Sequence, residues 1–165
     1  MKKNFSSNEL LIPVELDQGI ALRASDLVNV TVTPAFNYSF TTMTKGAIQH
    51  LDRNYTYDNI PEVLEGGLLF QGIHRPPKGT SIRLEVRKPA TVYFFFHSRV
   101  DGGYSQIFAG LPAWKKHDQA PQYDVKNGDH GLDMTMYFMH VDPGSYSIPA
   151  TTADRACFSI VFQEH

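Results

Sequence analysis

Two stretches of strict alternation constrain this chain more than any other feature of it. Within Leu27 to Phe36, Val28, Val30 and Val32 fall on one side and Asn29, Thr31 and Thr33 on the other. Within Ser81 to Arg87, Ile82, Leu84 and Val86 alternate with Arg83, Glu85 and Arg87. Successive side chains of a strand point to opposite faces, so each stretch is a strand with one buried and one wet face. Ala90 to Phe96 is apolar on both faces, which predicts a central strand covered on both sides. No segment longer than about two turns carries a helical period. Turn residues recur every ten or so positions, the rhythm of a sandwich or barrel. The chain is therefore expected to be all-β, an antiparallel β-sandwich or jelly roll of about eight to ten strands with little helix.

The remaining elements follow from shorter patterns. Leu10 to Leu16 reads as a first strand, bent or placed at an edge by Pro13, and Asp17-Gln18-Gly19 as a turn. Pro34 ends or kinks the strand before it. Phe40 to Thr44 and Ala47 to Leu51 are weaker strand candidates around Lys45-Gly46. Pro61 to Gly67 reads as one helical turn, and Leu68 to Ile73 as a strand. His74-Arg75-Pro76-Pro77-Lys78-Gly79 is a loop stiffened by two prolines. Met134 to Val141, Ser145 to Pro149 and Cys157 to Gln163 close the list of strands. Residues 104–130 form the longest irregular stretch, and loops of that length usually carry function. The whole chain, 1–165, is read as one domain.

Composition narrows the function classes. A chain of 165 residues buries enough surface to fold without a disulfide or metal staple, and its single cysteine, Cys157, allows no internal disulfide. Cys157 lies in a strand-like run and is expected to be a small buried hydrophobe. A formal net charge of -2 lacks the basic face that nucleic-acid binding needs. No apolar run approaches the roughly 20 residues of a membrane span. The N-terminal Met1-Lys2-Lys3-Asn4-Phe5 has no apolar signal core, which points to an intracellular, cytoplasmic protein.

A series of short motifs runs from residue 46 to residue 162. Gly46 is followed by Asp52-Arg53-Asn54-Tyr55 and Pro61-Glu62-Val63-Leu64-Glu65-Gly66. Then come Pro89-Ala90-Thr91-Val92-Tyr93, Arg99, Pro112-Ala113-Trp114, Tyr137 and Pro143-Gly144. This series resembles the accessory β-sandwich modules appended to secreted bacterial polysaccharide-degrading enzymes. The chain departs from them at His97, where the modules often have an acidic residue, and at Lys115, where an apolar residue follows the Pro-x-Trp. The resemblance implies an auxiliary, non-catalytic role and a glycan as ligand.

Several constellations could carry chemistry. Asp52, Arg53 and Tyr55 could orient a ligand, since Arg53 can pair bidentately with a carboxylate, but they are read first as a structural motif pinning a loop. His97 and His140 each end an apolar strand and, with His74, could form a jelly-roll metal site. The chain lacks the His-x-His that such cupin enzymes show, so no catalytic metal is expected and a cupin-like metal-dependent enzyme is kept as the alternative. Asp124, Asn127, Asp129 and Asp133 lie in a Gly-containing loop and are calcium candidates, although their spacing does not fit an EF-hand. No Gly-x-Ser-x-Gly occurs, and no catalytic residue or cofactor is assigned.

The reading that remains is a non-enzymatic binding domain whose partner is a protein or a glycan, with a homo-oligomer compatible with the sequence. Its recognition surface is placed on residues 101–133, at one end of the sandwich, with Asp101-Gly102-Gly103 as a hinge. Tyr104, Trp114 and Tyr123 would supply aromatic contact, and His97 and Arg99 polar contact.

Overall fold

The structure, a computed structural model, describes residues 18–125 and 129–165. Helix α1 (Gln18–Leu27) leads into β1 (Val28–Thr33), β2 (Ser39–Thr42) and β3 (Thr56–Asn59). After a 3-10 turn at Glu62–Leu64 come β4 (Leu68–Gln71), β5 (Ser81–Val86) and β6 (Ala90–His97). Helix α2 (Tyr104–Ala109) precedes β7 (Lys115–Lys116), β8 (Gln122–Val125) and β9 (Asp129–Val141). The last strands are β10 (Gly144–Ile148) and β11 (Phe158–Glu164).

The strands form two antiparallel sheets, so the chain is a β-sandwich. The large sheet runs β2-β4-β11-β6-β9-β8-β3, with β7 also paired to β9, and the small one runs β10-β5-β1. The alternating segments make the small sheet: Val30 pairs with Leu84 and Val32 with Ile82. Their apolar faces pack on Phe94, Phe96, Phe158 and Ile160 of the large sheet. All eleven residues expected in one core, Val28, Val30, Val32, Ile82, Leu84, Val86, Val92, Phe94, Phe96, Phe158 and Ile160, do share it. Helices α1 and α2 add Ala24, Leu27, Tyr104 and Phe108 to that core.

The expectation for β6 also holds, because every residue from Ala90 to His97 is buried. Its second face belongs to a second apolar cluster of Met43, Tyr57, Leu64, Leu69, Phe95, Met134, Met136 and Val161. The large sheet curls to enclose it. Residues 134–141 of β9 pair with β6, while its earlier residues pair with β8, and a register shift falls between Asp129 and Leu132. β8 then carries β3, so Tyr57 and Tyr123 close over Phe95 and Met136.

Four readings are corrected or fall outside the described residues. Gln18 to Leu27 is helical, where a turn is expected at Asp17-Gln18-Gly19 and no helix after it; only Ala24 and Leu27 are buried on it, too sparse a stripe to show a period. The stretch 104–130 is not one irregular loop but contains α2, β7 and β8. Ala47 to Leu51 forms a single bridge, Ile48 to Thr56, and no strand. The first strand expected at Leu10 to Leu16 lies outside the described residues. No helix among the described residues is long and apolar enough to cross a membrane.

Candidate functional site

Four loops, 43–55, 72–80, 98–103 and 149–157, meet at one end of the sandwich, where β4 and β6 finish and β11 begins. The loops 43–55 and 72–80 are tied by the Leu51 N–H donating to the Gly72 carbonyl at 2.9 Å. The loop after β6 is tied to the start of β11 by His97 N–H to the Cys157 carbonyl, 2.9 Å, and to β9 by Ser98 N–H to the Asp133 carbonyl, 3.1 Å. Loops held so by a rigid scaffold are where recognition residues collect.

Inside this end lies a cluster of imidazole, phenol and thiol groups. His50 is fully buried, with Nε2 3.3 Å from Cys157 Sγ. Its ring lies 5.5 Å from that of His74, which meets Tyr55 edge-on at 5.3 Å. Tyr55 continues to Tyr123 at 5.9 Å, and Tyr123 to His97 at 6.0 Å. Nδ1 of His50 and Nδ1 of His74 are both buried with no hydrogen-bond partner among the described residues. His97 Nδ1 accepts backbone N–H groups from Arg99 (3.1 Å) and Val100 (3.0 Å), which puts the ring proton on Nε2.

The charge state of the cluster follows from burial. Burial, reinforced by His74 and Arg53, pulls His50 down to about 3. Burial and the cations Arg53 and Arg75 pull His74 down to about 4. His97 is lowered by burial and by Arg99 and Arg75. Burial pushes the Cys157 thiol up to about 12. At neutral pH the site holds neutral imidazoles and a protonated thiol, which suits hydrogen bonding. A thiolate nucleophile requires the opposite shift.

The sequence-derived candidates are redistributed. His97, Arg99, Tyr123, Asp52, Arg53 and Tyr55 are all at this end. Asp52 Oδ1 accepts the His74 N–H at 2.9 Å, which ties loop 43–55 to loop 72–80, and Arg53 Nη1 donates to the Asp52 carbonyl at 2.8 Å. Tyr123 is buried against the second cluster, with 3% of its surface exposed. Tyr104 is buried entirely in the first core, between Phe94 and Phe158. Trp114 is half-buried, edge-on to Phe108 at 5.1 Å. Residues 101–133 therefore do not present Tyr104, Trp114 and Tyr123 as one exposed aromatic surface; these rings fill two separate cores. Asp101-Gly102-Gly103 is no hinge either. Asp101 accepts the N–H groups of Gly103 (2.8 Å) and Ser105 (3.2 Å), starting α2, and Gly102 packs against Ala156.

The histidine set is likewise separated. His97 pairs with Met134, and His140 lies six residues further along β9, about 20 Å away at strand rise. His140 instead shares the Thr91 hydroxyl with His165, at 2.7 and 2.9 Å. Among the described residues no three His, Cys, Asp or Glu side chains are grouped as a metal would require. Of the calcium candidates, Asn127 and the side chains of Asp124 and Asp129 lie outside the described residues, and Asp133 accepts from Gln122 Nε2 at 2.7 Å.

Two members of the end were missed from sequence. His50 had no motif around it. Arg75 is exposed and has a left-handed backbone, φ 62°, rare for a residue with a side chain and common near functional sites. The two prolines after it were the available signal.

This architecture is that of an antiparallel β-sandwich module. The solved structure of a beta-glucuronidase from glycoside hydrolase family 2 contains a similar fold, with a TM-score of 0.60 and 12% sequence identity. The match covers 82% of this chain and 14% of that one. No family model matches the sequence, and no curated protein does. At that identity the likeness concerns the fold.

Proposed function

We propose that this chain is a non-catalytic binding module whose ligand is a glycan, recognised at the loop end around His74, His97, Arg75 and Arg99. The observation that carries this reading is the convergence of four loops on neutral, hydrogen-bonding side chains with exposed guanidinium groups beside them. Arg75 and Arg99, both exposed, offer planar donor forks suited to sugar hydroxyls or carboxylates beside the half-buried ring of His74. The raised Cys157 thiol and the lowered histidines argue against acid–base or nucleophilic chemistry there at neutral pH. The size of the match, a small fraction of a glycosidase chain, supports an auxiliary role next to a catalytic unit.

A glycan array probed with the purified chain tests this. Binding should appear and should fall about tenfold or more in Arg75→Ala and Arg99→Ala, with melting temperature unchanged. Sugar release from glycosides by the chain alone would replace this reading with an enzyme. Specific capture of a protein with a blank array would replace the glycan with a protein partner.

A further inference from the structure

A groove lies on the outer flank of the same loop. Segment 43–55 has two sides. Its inner side buries Gln49 and His50, whereas its outer side turns Lys45, Ile48, Arg53 and Asn54 toward a groove beside β2. This groove has a volume of ≈ 590 Å³, within the range of small-ligand clefts. Thr41 and Thr44 line it with hydroxyls, and Ile20 of α1 and Leu51 give it apolar walls.

Its electrostatics are one-sided. No carboxylate of the described residues lines it. Asp52, next in sequence to Arg53, accepts the His74 N–H, with its second oxygen 3.8 Å from Arg53. Lys45 makes no ion pair among the described residues. The side chains of Thr44 and Asn54 have no hydrogen-bond partner among them. Lys45 is not adrift, because the turn that carries it is fixed by Gly46 N–H to the Tyr57 carbonyl (2.7 Å) and Ala47 N–H to the Thr44 carbonyl (3.0 Å). Gly46 takes φ 91° there, which side chains rarely adopt.

We infer that this groove binds a saccharide bearing a carboxylate. Lys45 and Arg53 take the carboxylate, the threonine hydroxyls and Asn54 take ring hydroxyls, and Ile20 and Ile48 cover an apolar sugar face. An acidic peptide adding to β2, which ends the large sheet among the described residues, is less well served. β2 has only four residues, and Ile20 of α1 stands over its groove. The groove lies on the outer side of loop 43–55 and shares Arg53 with the loop end of the preceding proposal, but its ligand does not depend on that reading.

The test titrates the full chain with oligogalacturonate and with its methyl ester, by calorimetry and by backbone amide shifts. The acid should bind about tenfold tighter at low salt, with the preference shrinking as ionic strength rises. Shifts should map to 41–54, and Lys45→Gln and Arg53→Gln should each remove most of the preference, Lys45→Gln without lowering the melting temperature. Equal binding of acid and ester overturns the inference. So does binding lost in Arg75→Ala and Arg99→Ala but kept in Lys45→Gln, which leaves the loop-end reading standing; the reverse pattern supports the groove and sinks the loop end. Polyglutamate binding as tightly as oligogalacturonate, with shifts along β2, would replace the saccharide with an acidic peptide.

Discussion

Individual residues here are governed by burial more than by charge. His50 is neutral in the fold because ionising it would strand a cation away from water, and its folded pKa of about 3 lies below the unfolded value of 6.5. A histidine lowered on folding contributes fully above the unfolded pKa and loses that contribution as pH falls toward the folded one. Stability should therefore fall on acidification from pH 6.5, by about 1.4 kcal/mol per pH unit for His50 once below that value. Denaturant titrations between pH 7.5 and 5, above the range where most carboxylates protonate, should show this slope, and His50→Gln should reduce it, leaving the part that the lowered His74 and His97 contribute. A flat profile in the parent would mean that His50 is already protonated or water-accessible. Gly102 makes a steric prediction. Its φ is 63°, and a Cβ there would lie 2.5 Å from the Ala156 Cβ. Gly102→Ala should cost about 2 to 4 kcal/mol, from left-handed strain and overpacking together, and should lower the denaturant midpoint without changing the slope. Tyr104 predicts the converse. Its hydroxyl is buried with no partner among the described residues, so Tyr104→Phe should leave stability unchanged or raise it, whereas Tyr104→Ala should cost about 3 to 5 kcal/mol. Loss of stability in the phenylalanine variant would reveal a hidden partner for that hydroxyl.

Among the elements, β6 is the one on which both cores depend. Phe94 stacks on Phe108 and Phe158 at 5.1 and 5.2 Å on one face, and Phe95 meets Tyr57 at 5.9 Å on the other. Phe94→Ala should cost about 3 to 5 kcal/mol, measured by chemical denaturation. Elements of this kind were legible in the sequence. Alternation named β1 and β5, two-sided apolarity named β6, and each pattern maps onto a real burial pattern. The illegible elements lack such a pattern. β3 and β8 are four residues each, and Tyr57 and Tyr123 are the side chains that tie them to the second core. One inward aromatic in four residues carries no period. Helix α1 leaves Leu22 62% exposed, which blurs its apolar stripe. The end cluster was legible only in pieces: Asp52, Arg53, Tyr55, His97, Arg99 and Tyr123 were each picked out locally. Their meeting depends on long-range pairings such as Ile160 with Phe70 and Phe158 with Phe96, which no local window contains. The aromatic residues of 101–133 misled because a loop built to cover two cores has the same composition as one built to recognise a partner.

At the scale of the whole molecule, two cores on opposite faces of one sheet raise the question of whether they melt together. The first lies between the sheets, and the second lies under the curled β3 and β8. They share no boundary loop that could let one open alone, because β6 and β11 line both. Phe94 and Ile160 face the first, and Phe95 and Val161 the second. Unfolding either face exposes the strands that hold the other, so one cooperative transition is expected. The chain supplies its own probes. Trp114 is the single tryptophan and packs against the first core. Met43, Met134 and Met136 lie in the second, and their labelled methyl resonances report on it. Tryptophan fluorescence and methionine methyl intensities, followed through the same urea titration, should give coincident midpoints. Phe94→Ala, which touches only the first core directly, should shift both curves equally. A methionine curve that moves ahead of the tryptophan curve would mean that the β3–β8 layer opens on its own, and the loop end it supports would then be a gated surface instead of a fixed one.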